Sequence, residues 1–189
     1  MRWTVHGERA LYSSPWVNLH LSDVELPDGH RFEHHVVRMP HPAVGTVVHD
    51  PGRGVLLLYR HRFISDVWSW EIPAGRVEAG ESWEQAAGRE TLEETGWAPR
   101  GLRELTAYRY AIGTCDGTFA LYFADGADPV GAPTDPAESE RVVWVPVEEV
   151  RSLIARGEVV DGLSLSALLW CFTFGLFEGA SVHGPPEGP

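Results

Sequence analysis

Residues 75–97 read GRVEAGESWEQAAGRETLEETGW, and the placement of this stretch decides the fold. Pro73-Ala74-Gly75 breaks a preceding strand, Glu81 to Thr95 has helical character, and Gly96 suits a C-terminal stop. At about 100° per residue, Trp83, Ala86, Ala87, Glu90, Glu93 and Glu94 fall within one arc of roughly 120°. The arc is apolar over the first two turns and acidic over the last two, where a core-facing helix should stay apolar. Carboxylates spaced i, i+3 and i+4 repel by about 0.2 to 0.5 kcal/mol per pair even when exposed. A hard divalent cation is the simplest compensation, because Mg²⁺ takes oxygen ligands and fills its other positions with waters and phosphate oxygens. Arg89, four residues before Glu93, can pair with one carboxylate and hold its orientation.

Upstream, Ala43 to His49 and Gly54 to Tyr59 are strand-like runs joined through Asp50-Pro51-Gly52-Arg53-Gly54. Trp68 to Ile72 is a further aromatic strand. Within the first forty residues, Trp16 to Leu21 and Phe32 to Arg38 flank the turn Leu26-Pro27-Asp28-Gly29 and read as a strand pair. Downstream, Leu105 to Ala111, Phe119 to Ala124 and Arg141 to Val145 read as strands, and Val147 to Arg156 and Leu163 to Phe177 as helices. This order predicts an α+β fold, an α/β/α sandwich in which helices flank a central sheet. The expected division is an N-terminal strand layer over 1–40, a main domain over 41–183 and a disordered tail over 184–189.

The chain has 189 residues and a formal charge of -12, which repels polyphosphate backbones and argues against a nucleic-acid partner. All 15 basic residues are arginine, so P-loop and Schiff-base lysine chemistry is excluded. Cys115 and Cys171 form no disulfide framework and no thiolate metal site, which fits a reducing cytoplasm. No apolar run approaches the ~20 residues of a membrane span. The histidines show no ligand spacing, and adjacent His34 and His35 point to opposite faces of a strand.

Gly75, Glu81, Arg89, Glu90, Glu93, Glu94 and Gly96 all fall in register with the Nudix box, G-x5-E-x7-R-E-U-x-E-E-x-G-U. The chain therefore resembles the Nudix hydrolases; only Thr91 and Trp97 depart, each at a bulky aliphatic position. The resemblance implies a Nudix fold with a mixed sheet. It also implies that Glu90, Glu93 and Glu94 bind catalytic Mg²⁺, for which Mn²⁺ could substitute, joined by the Ala74 carbonyl. Glu81, with Gly75 and Gly96, would support the loop–helix geometry, and Arg89 would orient the glutamates. The lead-in Trp70-Glu71-Ile72-Pro73-Ala74-Gly75 is similar to that of ADP-ribose and nucleotide-sugar pyrophosphatases, and places Trp70 and Glu71 among the candidate substrate contacts. Those enzymes resemble Tyr59-Arg60-His61-Arg62 in setting an arginine against the substrate diphosphate, Arg62 being the first candidate and Arg60 the second. They carry a proline beyond the box where this chain reads Ala111-Ile112-Gly113; Gly113 opens a loop like the one that shapes their substrate pocket. The acidic segment 135–141 resembles a loop that supplies a late carboxylate, with Glu138 and Glu140 as general-base candidates.

The expected activity is Mg²⁺-dependent cleavage of a nucleoside diphosphate linked to another moiety, with ADP-ribose leading. Nucleotide sugars, dinucleoside polyphosphates and damaged nucleoside triphosphates are alternatives, as is a non-catalytic ADP-ribose sensor. The N-terminal layer resembles a segment exchanged between subunits, so a homodimer is expected.

Overall fold

A computed structural model describes residues 1–134 and 138–179. The expected tail over 184–189 and the start of the acidic segment lie outside the described residues. The chain divides into two compact units, one of residues 1–42 with 108–118, the other of 43–107 with the chain from 119 onward.

The first unit is a three-stranded antiparallel sheet of β1 (Thr4–Ser13), β2 (Asn18–Glu25) and β3 (Arg31–Arg38), in that order. The expected pair is β2 and β3, with Gly29 at φ 88° in the turn and Leu26 N–H donating to His30 O at 2.8 Å. Strand β1 is an addition to the expected pair. All ten of its residues are exposed, so it carries no one-sided apolar alternation to read. Cross-strand ion pairs tie it to the sheet, Glu8 to Arg38 at 2.6 Å and Arg9 to Glu33 at 3.1 Å, and Glu8 also lies 3.0 Å from His20 Nδ1. Bonds from Arg38 and Ser22 pull the Glu8 carboxyl down to about 2. The 108–118 segment joins β3 through Val37 N–H to Thr114 O at 2.8 Å and Asp116 N–H to Val37 O at 3.2 Å.

The second unit contains β4 (Ala43–Asp50), β5 (Gly54–Arg62), β6 (Val67–Glu71), β7 (Ala74–Arg76), α1 (Trp83–Thr95), β8 (Trp97–Pro99), β9 (Arg103–Arg109), β10 (Thr118–Ala124), β11 (Ala127–Pro129), β12 (Arg141–Val145), α2 (Val147–Ala155) and α3 (Gly162–Thr173). Strands β9 and β10 share their 108–109 and 118 ends with the first unit. The main sheet runs β12-β5-β4-β10-β9, with β6 on β5 and β7 on β4. It is mixed: β10 runs parallel to β4, whereas β12, β4 and β6 are antiparallel to β5. The last helix is shorter than expected. It ends at Thr173, and Gly175 at φ 66° separates it from a 3₁₀ turn at Leu176–Glu178.

Helices cover both faces of this sheet, which explains why Val55 to Leu58 of β5 are all fully buried and read as a continuous apolar run. On one face Val44 packs with Ala86 and Ala87 of α1, and Thr46 Oγ1 donates to Ala87 O. On the other, Gly45 lets α3 close in; a β-carbon there would stand 2.1 Å from Leu163 Cδ2. The result is the expected α/β/α sandwich.

Candidate active site

Both ends of α1 are fixed by local chemistry. Ser82 and Gln85 form a capping box, with Gln85 N–H donating to Ser82 Oγ at 3.1 Å and Ser82 N–H to Gln85 Oε1 at 2.7 Å. Gly96 ends the helix at φ 74°, its N–H donating to Leu92 O at 2.8 Å. Thr91, at a nominally aliphatic position, is fully buried and donates its hydroxyl to Ala87 O at 2.7 Å, so it packs without an unmet polar group.

The helix presents its carboxylates in two settings. Arg89 gathers one: Nη1 donates to Glu90 at 2.8 Å and Glu93 at 3.0 Å, while Nη2 and Nε donate to Glu81 at 2.7 and 3.1 Å. The single partner expected for Arg89 is thus three, and its bonds hold the Glu81 carboxyl below its ordinary range. Glu90 lies against Gly75, where a β-carbon would stand 2.0 Å from its Cδ. Burial pushes the Glu90 carboxyl up. In the other setting, Glu94 is buried and accepts bonds on both oxygens, from Arg60 Nη2 at 2.6 Å and from Ala74 N–H at 2.8 Å. Burial raises it to about 7 despite these donors. Among the described residues no three such side chains already converge as a metal-ligand cluster. The donor set nevertheless fits a hard cation: oxygen ligands on one helix face, with a glycine opposite where a side chain would fill the space.

The upstream candidates separate. Strand alternation turns Arg60 and Arg62 to the same face of β5, but only Arg60 is covered by α1. At 4% exposure it cannot reach into solvent for a diphosphate, contrary to its place as second candidate. Arg62 has a side chain 49% exposed. Glu71 is 1% exposed and bound to Arg62 through Nε at 3.0 and 3.1 Å, which removes it from the expected substrate contacts. Trp70 pairs with Tyr59 in the β5–β6 register and so lies on the sheet face opposite Arg60 and Glu94. There it packs on Tyr59 at 4.9 Å between ring centroids, with the Arg141 guanidinium 5.3 Å above its ring.

A cavity of about 400 Å³ opens beside Glu94, walled also by Trp97, Ser139 and Glu140. Glu140 N–H donates to Tyr59 O at 2.9 Å, which pins this end of the acidic segment; Glu138 is exposed. Neither Ser139 nor Trp97 carries a polar spacing signal in the sequence. Trp97 makes an edge-on contact with Trp144 at 5.3 Å, and Arg53 caps both rings at 4.7 and 4.3 Å. Gly113 belongs to the first unit, on the wall of a groove of about 420 Å³ shared with Arg38, Arg109 and Cys115.

A sandwich that sets a glutamate-bearing helix beside an open cavity could hold a hard cation and, with it, a phosphate-bearing ligand. Residues 39–165 match the NUDIX domain, and residues 3–37 match the nucleoside diphosphate sugar hydrolase N-terminal domain. The chain belongs to the NUDIX family and is a phosphoric anhydride hydrolase. It is 42% identical to the CMP-5'-(N-acetyl-N-hydroxy-3-aminopropyl)phosphonate hydrolase of Streptomyces rubellomurinus over 89% of this chain and 82% of the relative. It is 29% identical to an ADP-ribose pyrophosphatase of Bacillus subtilis over 86% of this chain and 88% of that enzyme. A solved ADP compounds hydrolase shares the fold with a TM-score of 0.84 at 19% identity, covering 96% of this chain and 98% of its own.

Proposed function

We propose that this enzyme hydrolyses the diphosphate of a nucleoside 5'-diphosphate compound in a Mg²⁺-dependent reaction, with ADP-ribose as the leading substrate, yielding AMP and ribose 5-phosphate. The observation that carries the reading is the face of α1: Glu90, Glu93 and Glu94, two of them desolvated enough to be pushed up in pKa, with Glu94 lining an open cavity. These three, with the Ala74 carbonyl, would hold the cation, Mn²⁺ being a substitute. When bound, Mg²⁺ neutralises phosphate oxygens and acidifies a water. Arg89 keeps Glu90 and Glu93 together through one Nη1. Arg62, held by Glu71, offers the remaining guanidinium edge to the diphosphate. Glu140, on the wall of the Glu94 cavity, takes the general-base role ahead of Glu138, because a base must come within reach of the attacked water.

One observation favours a second substrate. The relative at 42% identity is named for hydrolysis of a CMP-linked phosphonate, so CMP joined to a phosphonate stands beside ADP-ribose. A non-catalytic sensor would have no need of the complete glutamate set. The test is product release from ADP-ribose, nucleotide sugars, a CMP-linked phosphonate, dinucleoside polyphosphates and nucleoside triphosphates, each with Mg²⁺ and with chelator. Mg²⁺-dependent AMP release from ADP-ribose is the expected result; cleavage of the CMP compound alone moves the assignment, and silence throughout rejects the catalytic reading.

The same reading includes a homodimer built through the N-terminal layer, supported by β1, whose Val5, Leu11 and Tyr12 are all exposed. Light scattering on a gel-filtration column should give twice the chain mass; a monomer removes this part. A cytoplasmic location is supported by two free cysteines, and among the described residues no helix is long and apolar enough to cross a membrane.

A further inference from the structure

Arginine in the interior of a sheet needs a reason. Arg60 follows four fully buried apolar residues on β5 by only two positions and is itself 4% exposed. Buried ion pairs add little net stability, since desolvation offsets their attraction, yet removing one partner is costly. Four side chains meet here with alternating charge. Arg60 Nη2 bonds to Glu94 Oε1 at 2.6 Å, and Arg60 Nε lies 3.7 Å from Glu71 Oε2, too far for a hydrogen bond. Glu71 in turn takes Arg62 Nη2 at 2.5 Å. The β5–β6 register sets Glu71 opposite Leu58, which puts it on the same face as both arginines. At the far end, Ala74 N–H holds the second oxygen of Glu94. Donors on both oxygens leave that carboxylate no free rotation.

We propose that Arg60 is a positioning residue. It clamps Glu94 so that the carboxylate meets a divalent cation in one fixed orientation. Through Glu71, the same chain of charges sets Arg62 at the substrate side. Arg60 is 4% exposed and acts through the two carboxylates beside it, Glu94 and Glu71. The inference rests on the reading of Glu94 as a metal ligand.

Three variants separate the roles: Arg60→Met, close in length but without donors; Arg60→Gln, which keeps a donor; and Glu71→Gln. The readouts are Mn²⁺ affinity of the substrate-free protein by electron paramagnetic resonance, kcat and KM with ADP-ribose or whichever nucleotide the panel identifies, and the thermal midpoint. Loss of a partner that orients a metal ligand typically costs 10–100-fold, so R60M should lose about that much Mn²⁺ affinity and kcat, with KM little changed. R60Q should fall between R60M and the parent. E71Q should raise KM more than it lowers kcat, because Arg62 loses its anchor. An Arg60 that only supports the fold would lower the thermal midpoint and leave Mn²⁺ affinity at the parent value, and that result in R60M overturns the proposal. Should R60M fail to fold, R60Q decides alone: parent-like Mn²⁺ affinity overturns the clamp, weakened affinity supports it. E94Q run in parallel distinguishes the layers. An active E94Q removes the metal-ligand reading itself, whereas an inactive E94Q beside parent-like Arg60 variants removes only the clamp.

Discussion

Gly75 and Glu90 occupy the same small space: a β-carbon on Gly75 would stand 2.0 Å from Glu90 Cδ and 2.2 Å from both carboxylate oxygens. Gly75→Ala must therefore expel the Glu90 carboxylate from its position. Because the obstacle is the end of a flexible side chain, the fold should survive, with a stability loss in the lower part of the about 1–3 kcal/mol typical of overpacking. Activity should fall by roughly 10–100-fold. Steady-state kinetics beside a thermal melt checks the contrast; parent-like kinetics would show that the Glu90 carboxylate is dispensable.

Glu94→Gln should abolish Mg²⁺-dependent turnover. A glutamine amide cannot accept from both Arg60 and Ala74 N–H, since one of its two ends is a donor. A further loss of about 1–3 kcal/mol in stability follows from the donor left unmet. Product release and chemical denaturation measure the two effects separately; near-normal turnover would be fatal to the metal assignment.

Stability of the metal-free enzyme should depend on pH through Glu94. Its folded pKa of about 7 lies above the ordinary 4.5, so between these values the folded chain holds a proton that the unfolded chain has released. The contribution is present below pH 4.5 and is lost as pH rises toward 7. Buried His49 works in the opposite sense: burial lowers its pKa, and its cost appears as pH falls through the ordinary histidine range. Melts across this window in chelator should show a slope in the parent that is flattened in E94Q. On the proposed metal role of Glu94, Mg²⁺ would compete with its proton, so a stabilising effect of Mg²⁺ should grow with pH.

Arg89→Ala leaves Glu81, Glu90 and Glu93 without their shared guanidinium. The thermal midpoint should drop more in chelator than in Mg²⁺, because a cation can take over part of the charge compensation. Equal drops under both conditions would mean that the cation does not meet these carboxylates.

The acidic helix was legible because its carboxylates lie on one element, where helical spacing alone fixes their relative direction. Gly96 marked its C-terminal end, whereas the Ser82–Gln85 capping box, which starts the helix at Trp83 and not at the expected Glu81, was not read. Strand β1 was not legible, since solvent on both sides leaves no pattern to detect. The three-residue strands β7, β8 and β11 are too short to show a period. The order of Arg62 before Arg60 came from resemblance and not from spacing, since both point to one face of β5; the cover supplied by α1 decides which is buried. Trp70 and Glu71 illustrate the converse. Adjacent strand residues face opposite sides of a sheet, so a motif read as one recognition segment is divided between two surfaces.

Trp97 stands in the wall of the Glu94 cavity with Trp144 edge-on behind it and Arg53 over both rings. The pair is therefore placed to act as an intrinsic optical reporter: if nucleotide enters this cavity, emission should change on mixing, and the part of the change lost in Trp97→Phe separates it from the other seven of the eight tryptophans.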